Sequence, residues 1–512
     1  MTSPTRSALP CAIPGTPLAD ASAGIDACVH CGFCLQACPT YLTLEDENDS
    51  PRGRIVLMHA LVEGTLAVGD PDVRTHIDRC LGCRACETAC PSGVPYGQLL
   101  EATRATLTQA QPNPPLARAI LFAFARPALL SVAMLGGRLA RALRLSALLS
   151  RLPGRLGFAM AMLEATRAPL PRTTYEPGGD GTRGSTSLLT GCVMEGLFSD
   201  TNRATERTLL SNDYSVTRTD GQRCCGALHA HAGDLHAARR LARHNITAFE
   251  ASGSDWVVVN AAGCGAMMKD YEHLLAHDPE WCDRAATLSA KVRDVSELLA
   301  LAGPRPGGAL DVTVTYDAPC HLLHAQRVST PPLRVLGAVP GLRLVPLEGS
   351  EHCCGSAGIY NLVEPEVSDT VLAPKLAHIA ETRASLVATG NPGCLMQIGA
   401  GLHQTRTPLR ERADFRWAAQ LRTVVAPADD RDLITSHGRW RAARLGRTAR
   451  RYRPSASRFA ACSAGRRGHG LRRCRLRRPL SRAIRSVGGG ERSRGTCQGC
   501  DACGARRAQS RA

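Results

Sequence analysis

The stretch that decides the fold is Cys28-Val-His-Cys31-Gly-Phe-Cys34-Leu-Gln-Ala-Cys38-Pro39, which recurs as Cys80-Leu-Gly-Cys83-Arg-Ala-Cys86-Glu-Thr-Ala-Cys90-Pro91. Both copies read C-x2-C-x2-C-x3-C-P. Two-residue spacers let one turning loop present three thiolates to a compact cubane. The fourth cysteine, set before Pro, starts a helix pointing elsewhere and ligates the other cluster. The pattern assigns Cys28, Cys31, Cys34 and Cys90 to one [4Fe–4S] cluster, and Cys80, Cys83, Cys86 and Cys38 to a second. A tetrahedral zinc site uses four ligands, usually as two separated pairs. It leaves the evenly spaced third Cys, the Cys-Pro and the complete second copy unexplained. Forty-one residues separate Cys38 from Cys80, with helical stretches such as Arg54–Glu63. A mainly helical two-cluster ferredoxin-type domain is therefore expected over 19–110. Two neighbouring clusters form an electron wire; they do not by themselves remove a hydride from an organic substrate.

Outward from this stretch, two further halves repeat each other. Cys192, Cys224-Cys225-Gly226 and Cys264 are matched by Cys320, Cys353-Cys354-Gly355 and Cys394. The intervals are 31 and 32 residues before each pair, then 38 and 39 after it, which duplication explains most simply. Short apolar runs that read as strands precede the single cysteines: Ser187–Leu189, Trp256–Val259, Val312–Tyr316 and Leu386–Ala388. Helical patterns such as His236–Ala251 and Pro374–Ser385 alternate with them. This is α/β patterning with mostly parallel strands, and sites form at the carboxyl ends of such strands. Adjacent cysteines do not readily bridge each other. Four thiols per half then suggest a further iron–sulfur or redox thiol centre, against the alternative of buried free Cys packing a strand end.

The fold class is thus multidomain, α+β and α/β. A flexible arm is expected over 1–18, the ferredoxin-type domain over 19–110, and a helical connector and linker over 111–185. The two cysteine-rich domains are expected over 186–300 and 308–405, and an Arg-rich disordered tail over 406–512. The connector, rich in Leu, Ala and Arg and divided by Pro127 and Pro153, reads as amphipathic helices packed on neighbouring domains. A sharper reading is a basic surface touching a bilayer or a membrane partner.

The chain has 512 residues and a formal charge of +17. Residues 406–512 hold 28 Arg and 7 acids, whereas 1–405 hold 34 basic and 38 acidic residues. The basic character belongs to the tail, so nucleic acid is not expected as a partner of the body. The tail's Cys497, Cys500 and Cys503 lack the fourth Cys and the Pro, and 59 Arg against 3 Lys mark GC-rich coding. The tail is read as an altered, non-native C-terminus from about Leu402. No apolar h-region follows the start and no run of 18 apolar residues occurs, so a reducing compartment and no membrane span are expected. In such a compartment clustered Cys read as metal ligands or catalytic thiols. Gly179-Asp-Gly181-Thr-Arg-Gly184 precedes a strand, the reverse of a dinucleotide site, and reads as linker. His229, His231, His321, His324 and His352 read as polar neighbours of the cysteines. Arg52-Gly53-Arg54 reads as a cluster-neutralising or partner-docking element, or equally as an exposed loop. Cys11 and Cys282 receive no role.

The segments ACVHCGFCLQACPTY, DSPRGRI, DRCLGCRACETACPSGV, QRCCGALHAHAG, NAAGCGAMMKDY, APCHLLHAQR, HCCGSAGIYNL and ATGNPGCLMQIGAGL resemble the iron–sulfur subunit of bacterial glycolate oxidase (glycolate dehydrogenase) over about residues 20–402. The halves are also similar to the cysteine-rich domains of heterodisulfide reductase and of anaerobic glycerol-3-phosphate and lactate-utilisation proteins. The resemblance implies a complex in which FAD-dependent flavoprotein subunits oxidise glycolate to glyoxylate. This chain would pass the electrons toward a quinone or membrane acceptor, in the cytoplasm or on the inner face of the cell membrane. No flavin fold is visible, so the substrate chemistry is expected on a partner and no catalytic residue on this chain. Met267 and Gln397 stand where the heterodisulfide reductase pattern has its last Cys.

Overall fold

Proline starts most helices of the first domain. A computed structural model describes residues 11–166 and 181–405, all within one of the two units into which the chain divides. Helices Pro17–Asp20, Pro39–Leu44, Pro51–Glu63 and Pro71–Asp78 all carry Pro in the first turn, where its missing N–H costs nothing. Ser50 and Asp70 cap two of them, accepting from Gly53 N–H (2.9 Å) and Asp72 N–H (2.8 Å). With Tyr96–Ala110, these helices enclose a core of Leu18, Met58, Leu61, Ile77, Leu99 and Leu107. Residues 11–18, expected to belong to a flexible arm, are instead docked: Leu18 is fully buried, and Ala12 N–H donates to the Val62 carbonyl.

The connector supplies helices Pro115–Phe124, Pro127–Ala142, Leu145–Leu149 and Gly154–Glu164. After it come two parallel sheets. In the first half β1 (Ser185–Leu188), β2 (Ser215–Thr217), β3 (Trp256–Val259) and β4 (Val292–Asp294) take the order β2-β1-β3-β4. In the second, β5 (Val312–Tyr316), β6 (Leu342–Val345) and β7 (Leu386–Ala388) take the order β6-β5-β7. All pairings are parallel. The central strand comes first in both, so the repeat seen in cysteine spacing is also a repeat of topology; β4 and its flanking helices are extra to the first half. The inner strands β1, β3 and β5 are largely buried, as parallel sheets require, whereas the edge strands β2 and β6 stay partly open.

Two boundaries differ from the sequence reading. The helix expected to begin at Pro374 begins at Pro365 and runs to Glu381 with Pro374 inside it. Pro365 takes the favoured first-turn position, and Val371, Leu372, Leu376 and Ile379 bury one face across the interior proline. Cys38 does precede a helix, but Cys90 does not. Pro91 is followed by left-handed Gly93 (φ +67°) and Pro95, which defer the next helix to Tyr96.

Candidate metal centres

Left-handed backbone turns shape both cysteine loops. His30 (φ +55°) and Gly32 (φ +84°) flank Cys31, and Gly82 (φ +61°) and Arg84 (φ +63°) flank Cys83. Such residues reverse the chain within one step, so neighbouring thiols turn to a common side. One hollow is lined by Cys28, Cys31, Cys34 and Cys90, together with Arg52, Cys86 and Tyr96. Another is lined by Cys38, Cys80, Cys83 and Cys86, together with Thr40, Arg54 and Tyr96. The tertiary fold thus brings the fourth cysteine of each motif to the other motif's loop, and Cys86 and Tyr96 border both hollows. The first lies near solvent: Cys31 is exposed, and Val29 and Phe33 beside it are 67% exposed. All four thiols of the second are buried.

The Arg52–Arg54 segment is not an exposed loop. It opens helix Pro51–Glu63, and Arg54 is completely buried. Its guanidinium donates to the His76 carbonyl (2.7 Å), Thr40 Oγ1 (3.1 Å) and Asp49 Oδ1 (3.1 Å). Asp49 also meets Arg79 at 3.1 Å. Thr40 Oγ1 lies 3.3 Å from Cys38 Sγ, Tyr96 donates its hydroxyl toward Cys80 Sγ (3.7 Å), and Gly82 N–H points at the same sulfur (3.4 Å). Hydrogen bonds and charges of this kind set the potential of a metal–thiolate group. Arg52 pairs with Glu47 (2.8 Å) and donates to the His30 carbonyl (3.3 Å) at the edge of the first hollow.

Burial pushes the Cys34 thiol up to about 11, and Cys83 and Cys86 well above the ordinary thiol range, with neighbouring sulfurs adding to it. Crowded thiols in an apolar hollow do not ionise on their own; a bound cation supplies the compensating charge. Every described cysteine is free of disulfide. Two all-sulfur quartets of this kind fit iron–sulfur clusters, and Cys83, Cys86, Arg54 and Tyr96 close the inner one off from water.

In each cysteine-rich half the thiols meet beyond the carboxyl ends of the strands. Cys192 and Cys224 lie 3.6 Å apart, Cys225 and Cys264 3.3 Å, and Cys320 and Cys353 3.9 Å. Cys354 is within interaction range of both Cys353 and Cys394. Gly226 and Gly355 turn the chain after each pair with φ +93° and +84°. A Cβ on Gly355 would sit 2.6 Å from the Ser368 carbonyl oxygen. Met267 is packed in the first core, and Gln397 is buried in bonds to Ser368 and Asn361. Neither position offers a further thiolate.

The two halves have diverged in charge, which the sequence reading missed. Behind the first pair, Asn245 donates to the Cys224 carbonyl (3.1 Å), and Tyr271 donates to the Cys225 carbonyl (2.7 Å). Behind the second stand a buried ammonium and carboxylate, Lys375 and Asp317, 2.8 Å apart. Burial opposes the Lys375 charge, but Asp317 and the nearby Cys354 and Cys394 hold its pKa above the ordinary value. The signal was present: Lys375, one of three Lys in the chain, falls four residues after Val371 and four before Ile379, on the apolar face. The second half also faces the inner quartet. Cys83, Cys320 and Cys353 share one apolar cluster with Leu81, Tyr360 and Val371, and Thr88 Oγ1 bonds His324 Nδ1 (2.8 Å).

The histidines are mostly structural. His229 bonds the Leu121 carbonyl (3.1 Å), His231 bonds Glu101 (2.9 Å), and His324 bonds the Glu351 carbonyl (3.0 Å). His352 lies near Glu351 on the surface. His321 packs against Cys320 (3.5 Å), and burial with the nearby His231 and Arg84 lowers it to about 3, so it is neutral. Cys497, Cys500 and Cys503 lie outside the described residues.

Comparison with known proteins agrees with this layout. Residues 24–94 match the family described as a 4Fe-4S dicluster domain, and residues 186–269 and 314–399 each match the family described as a cysteine-rich domain. A probable glycolate oxidase iron–sulfur subunit from Bacillus subtilis is 38% identical, over 74% of this chain and 89% of that protein. The glycolate oxidase iron–sulfur subunit of Escherichia coli is 33% identical, over 74% of this chain and 91% of that one. Lactate utilization protein A of Geobacillus thermodenitrificans is 30% identical, over 44% of this chain and 94% of that protein.

Proposed function

Since the chain belongs to the family of glycolate oxidase iron–sulfur subunits, we propose that it is the electron-transfer subunit of a complex in which an FAD-dependent partner oxidises glycolate to glyoxylate and a quinone-level acceptor takes the electrons. The complex is an oxidoreductase, and no substrate site is needed on this chain. The observation that carries the reading is the pair of hollows, each lined by three cysteines of one motif and the fourth of the other. Cys28, Cys31, Cys34 and Cys90 would hold one [4Fe–4S] cluster, and Cys38, Cys80, Cys83 and Cys86 the second. When bound, these groups supply one-electron exchange.

The chain's own residues set the conditions for that exchange. Arg54 places a permanent positive charge beside Cys38 and Cys80, favouring the more negative, reduced state. Tyr96 and Gly82 direct hydrogens at Cys80. The solvent-facing loop at Val29 and Phe33 suits a donor flavoprotein, and the buried inner quartet suits onward transfer toward the second cysteine-rich half. There Cys320, Cys353, Cys354 and Cys394 would form a further centre beside the inner quartet, with Cys83, Cys320 and Cys353 in one apolar cluster; Cys192, Cys224, Cys225 and Cys264 would form its counterpart in the first half. A 2-hydroxy acid such as lactate is a second reading for the partner's substrate, favoured by the lactate utilization relatives.

The test is anaerobic purification with the neighbouring flavoprotein subunits. The ferredoxin-type domain should bring about eight iron and eight sulfide per chain, with a paramagnetic signal on reduction by glycolate. Zinc in place of iron, or no signal on reduction, would overturn the proposal.

A further inference from the structure

The connector helix Pro127–Ala142 is amphipathic the wrong way round for a protein surface. Not one of its residues is buried. Its apolar stripe, Leu129, Val132, Leu135, Leu139 and Leu143, recurs every three or four residues and faces outward, with Val132 68% and Leu135 63% exposed. Its arginines face inward instead. Arg138 donates to the carbonyls of Gly196 (2.8 Å) and Glu195 (3.0 Å), and Arg141 to Thr166 Oγ1 (3.2 Å). A helix packed on a soluble body turns its leucines in and its charges out. The stripe continues on the next two helices at Leu148 and Leu156. An exposed apolar surface of this continuity marks a contact site.

Charge identifies the contact. Residues 115–163 hold seven Arg and no Asp or Glu, and Arg126, Arg144, Arg151 and Arg155 flank the stripe in solvent. No single described helix is long and apolar enough to cross a membrane, and Pro115–Phe124 meets Pro127–Ala142 at a bend of 106°. Leucines on one side, arginines at the margin and too short a span are the features of a helix lying in the plane of a lipid interface. We propose that the outward leucine face of this connector seats the protein on an anionic lipid bilayer. The leucines enter the acyl boundary and Arg126, Arg144, Arg151 and Arg155 meet phosphate headgroups. This does not depend on what the cysteines bind.

The test uses the full chain, so the Arg-rich tail is present in every sample. Vesicles of phosphatidylglycerol and phosphatidylcholine are sedimented with wild type and with the triple variant Val132→Gln, Leu135→Gln, Leu139→Gln, at low and at high salt. The charge is unchanged, so attraction by the tail is the same in both proteins and is screened at high salt. Wild type should stay bound at high salt, and the variant should bind at least ~100-fold more weakly. In a second measurement, Leu135→Trp should gain fluorescence quenchable by brominated acyl chains, above the wild-type background. Equal binding of wild type and triple variant, or added fluorescence in Leu135→Trp that the brominated chains leave unquenched, overturns the proposal; so does wild type remaining in the supernatant at high salt, which would assign the stripe to a protein partner. Iron content of each variant reads the electron-transfer proposal separately.

Discussion

Arg54→Gln should lower the reduction potential of the centre at Cys38, Cys80, Cys83 and Cys86 and leave its neighbour nearly unmoved. The guanidinium is fully buried, 3.1 Å from Thr40 Oγ1, and that oxygen lies 3.3 Å from Cys38 Sγ. Charge and sulfur are therefore within roughly 6 Å, where an effective dielectric of about 20 gives on the order of 2–3 kcal/mol. For a one-electron couple this corresponds to about 100 mV, with 59 mV for each tenfold change. An added electron spread over a cluster sits farther from Arg54 than the sulfur does, so a fall on the order of 50–100 mV is expected. Its sign follows from losing a cation that stabilises the reduced form, while Asp49 stays behind as an anion. Breaking the buried pair also costs stability, up to about 3–5 kcal/mol, less here because Arg79 still meets Asp49. Arg54→Lys keeps the charge and should keep most of the potential. Arg54→Gln with Asp49→Asn removes both charges and should return it toward wild type. The assay is an anaerobic redox titration followed by electron paramagnetic resonance, on samples matched for iron. Unchanged potentials in folded, iron-loaded Arg54→Gln would refute the electrostatic reasoning.

Other outcomes follow from the same geometry. Cys83→Ser should drop iron from about eight to about four per chain and abolish dye-linked glycolate oxidation by the co-purified complex; full activity would exclude the inner quartet from the route. Gly355→Ala should be more destabilising than Gly226→Ala in paired denaturant titrations. Both need a left-handed residue, roughly 1–2 kcal/mol for alanine, but only at Gly355 does the new Cβ fall within 2.6 Å of a backbone oxygen; at Gly226 the nearest atom is 3.4 Å away. Burial raises the Asp294 carboxyl to about 6, against bonds from Ser296 that favour its charge. The folded state then holds a proton that the unfolded state has released between about pH 4 and 6, so stability falls as pH rises through that window and stays low above it. Asp294→Asn keeps the helix cap and should raise the melting midpoint at pH 7.5, by an amount that shrinks as pH drops through about 6. A gain independent of pH would point to a cause other than this carboxyl.

What the sequence determined by itself was periodic or local. Thiol spacing in the two C-x2-C-x2-C-x3-C-P runs, the doubled Cys-Cys-Gly intervals and the short apolar strands are properties of neighbouring residues, and they sufficed for the ferredoxin-type domain, the repeat and the α/β class. The family followed from the same motifs. Tertiary structure alone decided what depends on residues far apart in the chain. The sequence left Arg54 open between a cluster-neutralising element and an exposed loop, because a charged residue is almost never fully buried without partners; those partners, His76, Thr40 and Asp49, come from three separate segments. Lys375 and Asp317 meet across 58 residues, and their pairing makes the second half electrically unlike the first. The inverted connector helix is the sharpest case. Its pattern of Leu and Arg is legible as amphipathic, but which face meets the protein is fixed only when Arg138 finds the carbonyls of Glu195 and Gly196, because periodicity gives the faces of a helix and not the direction in which the body lies.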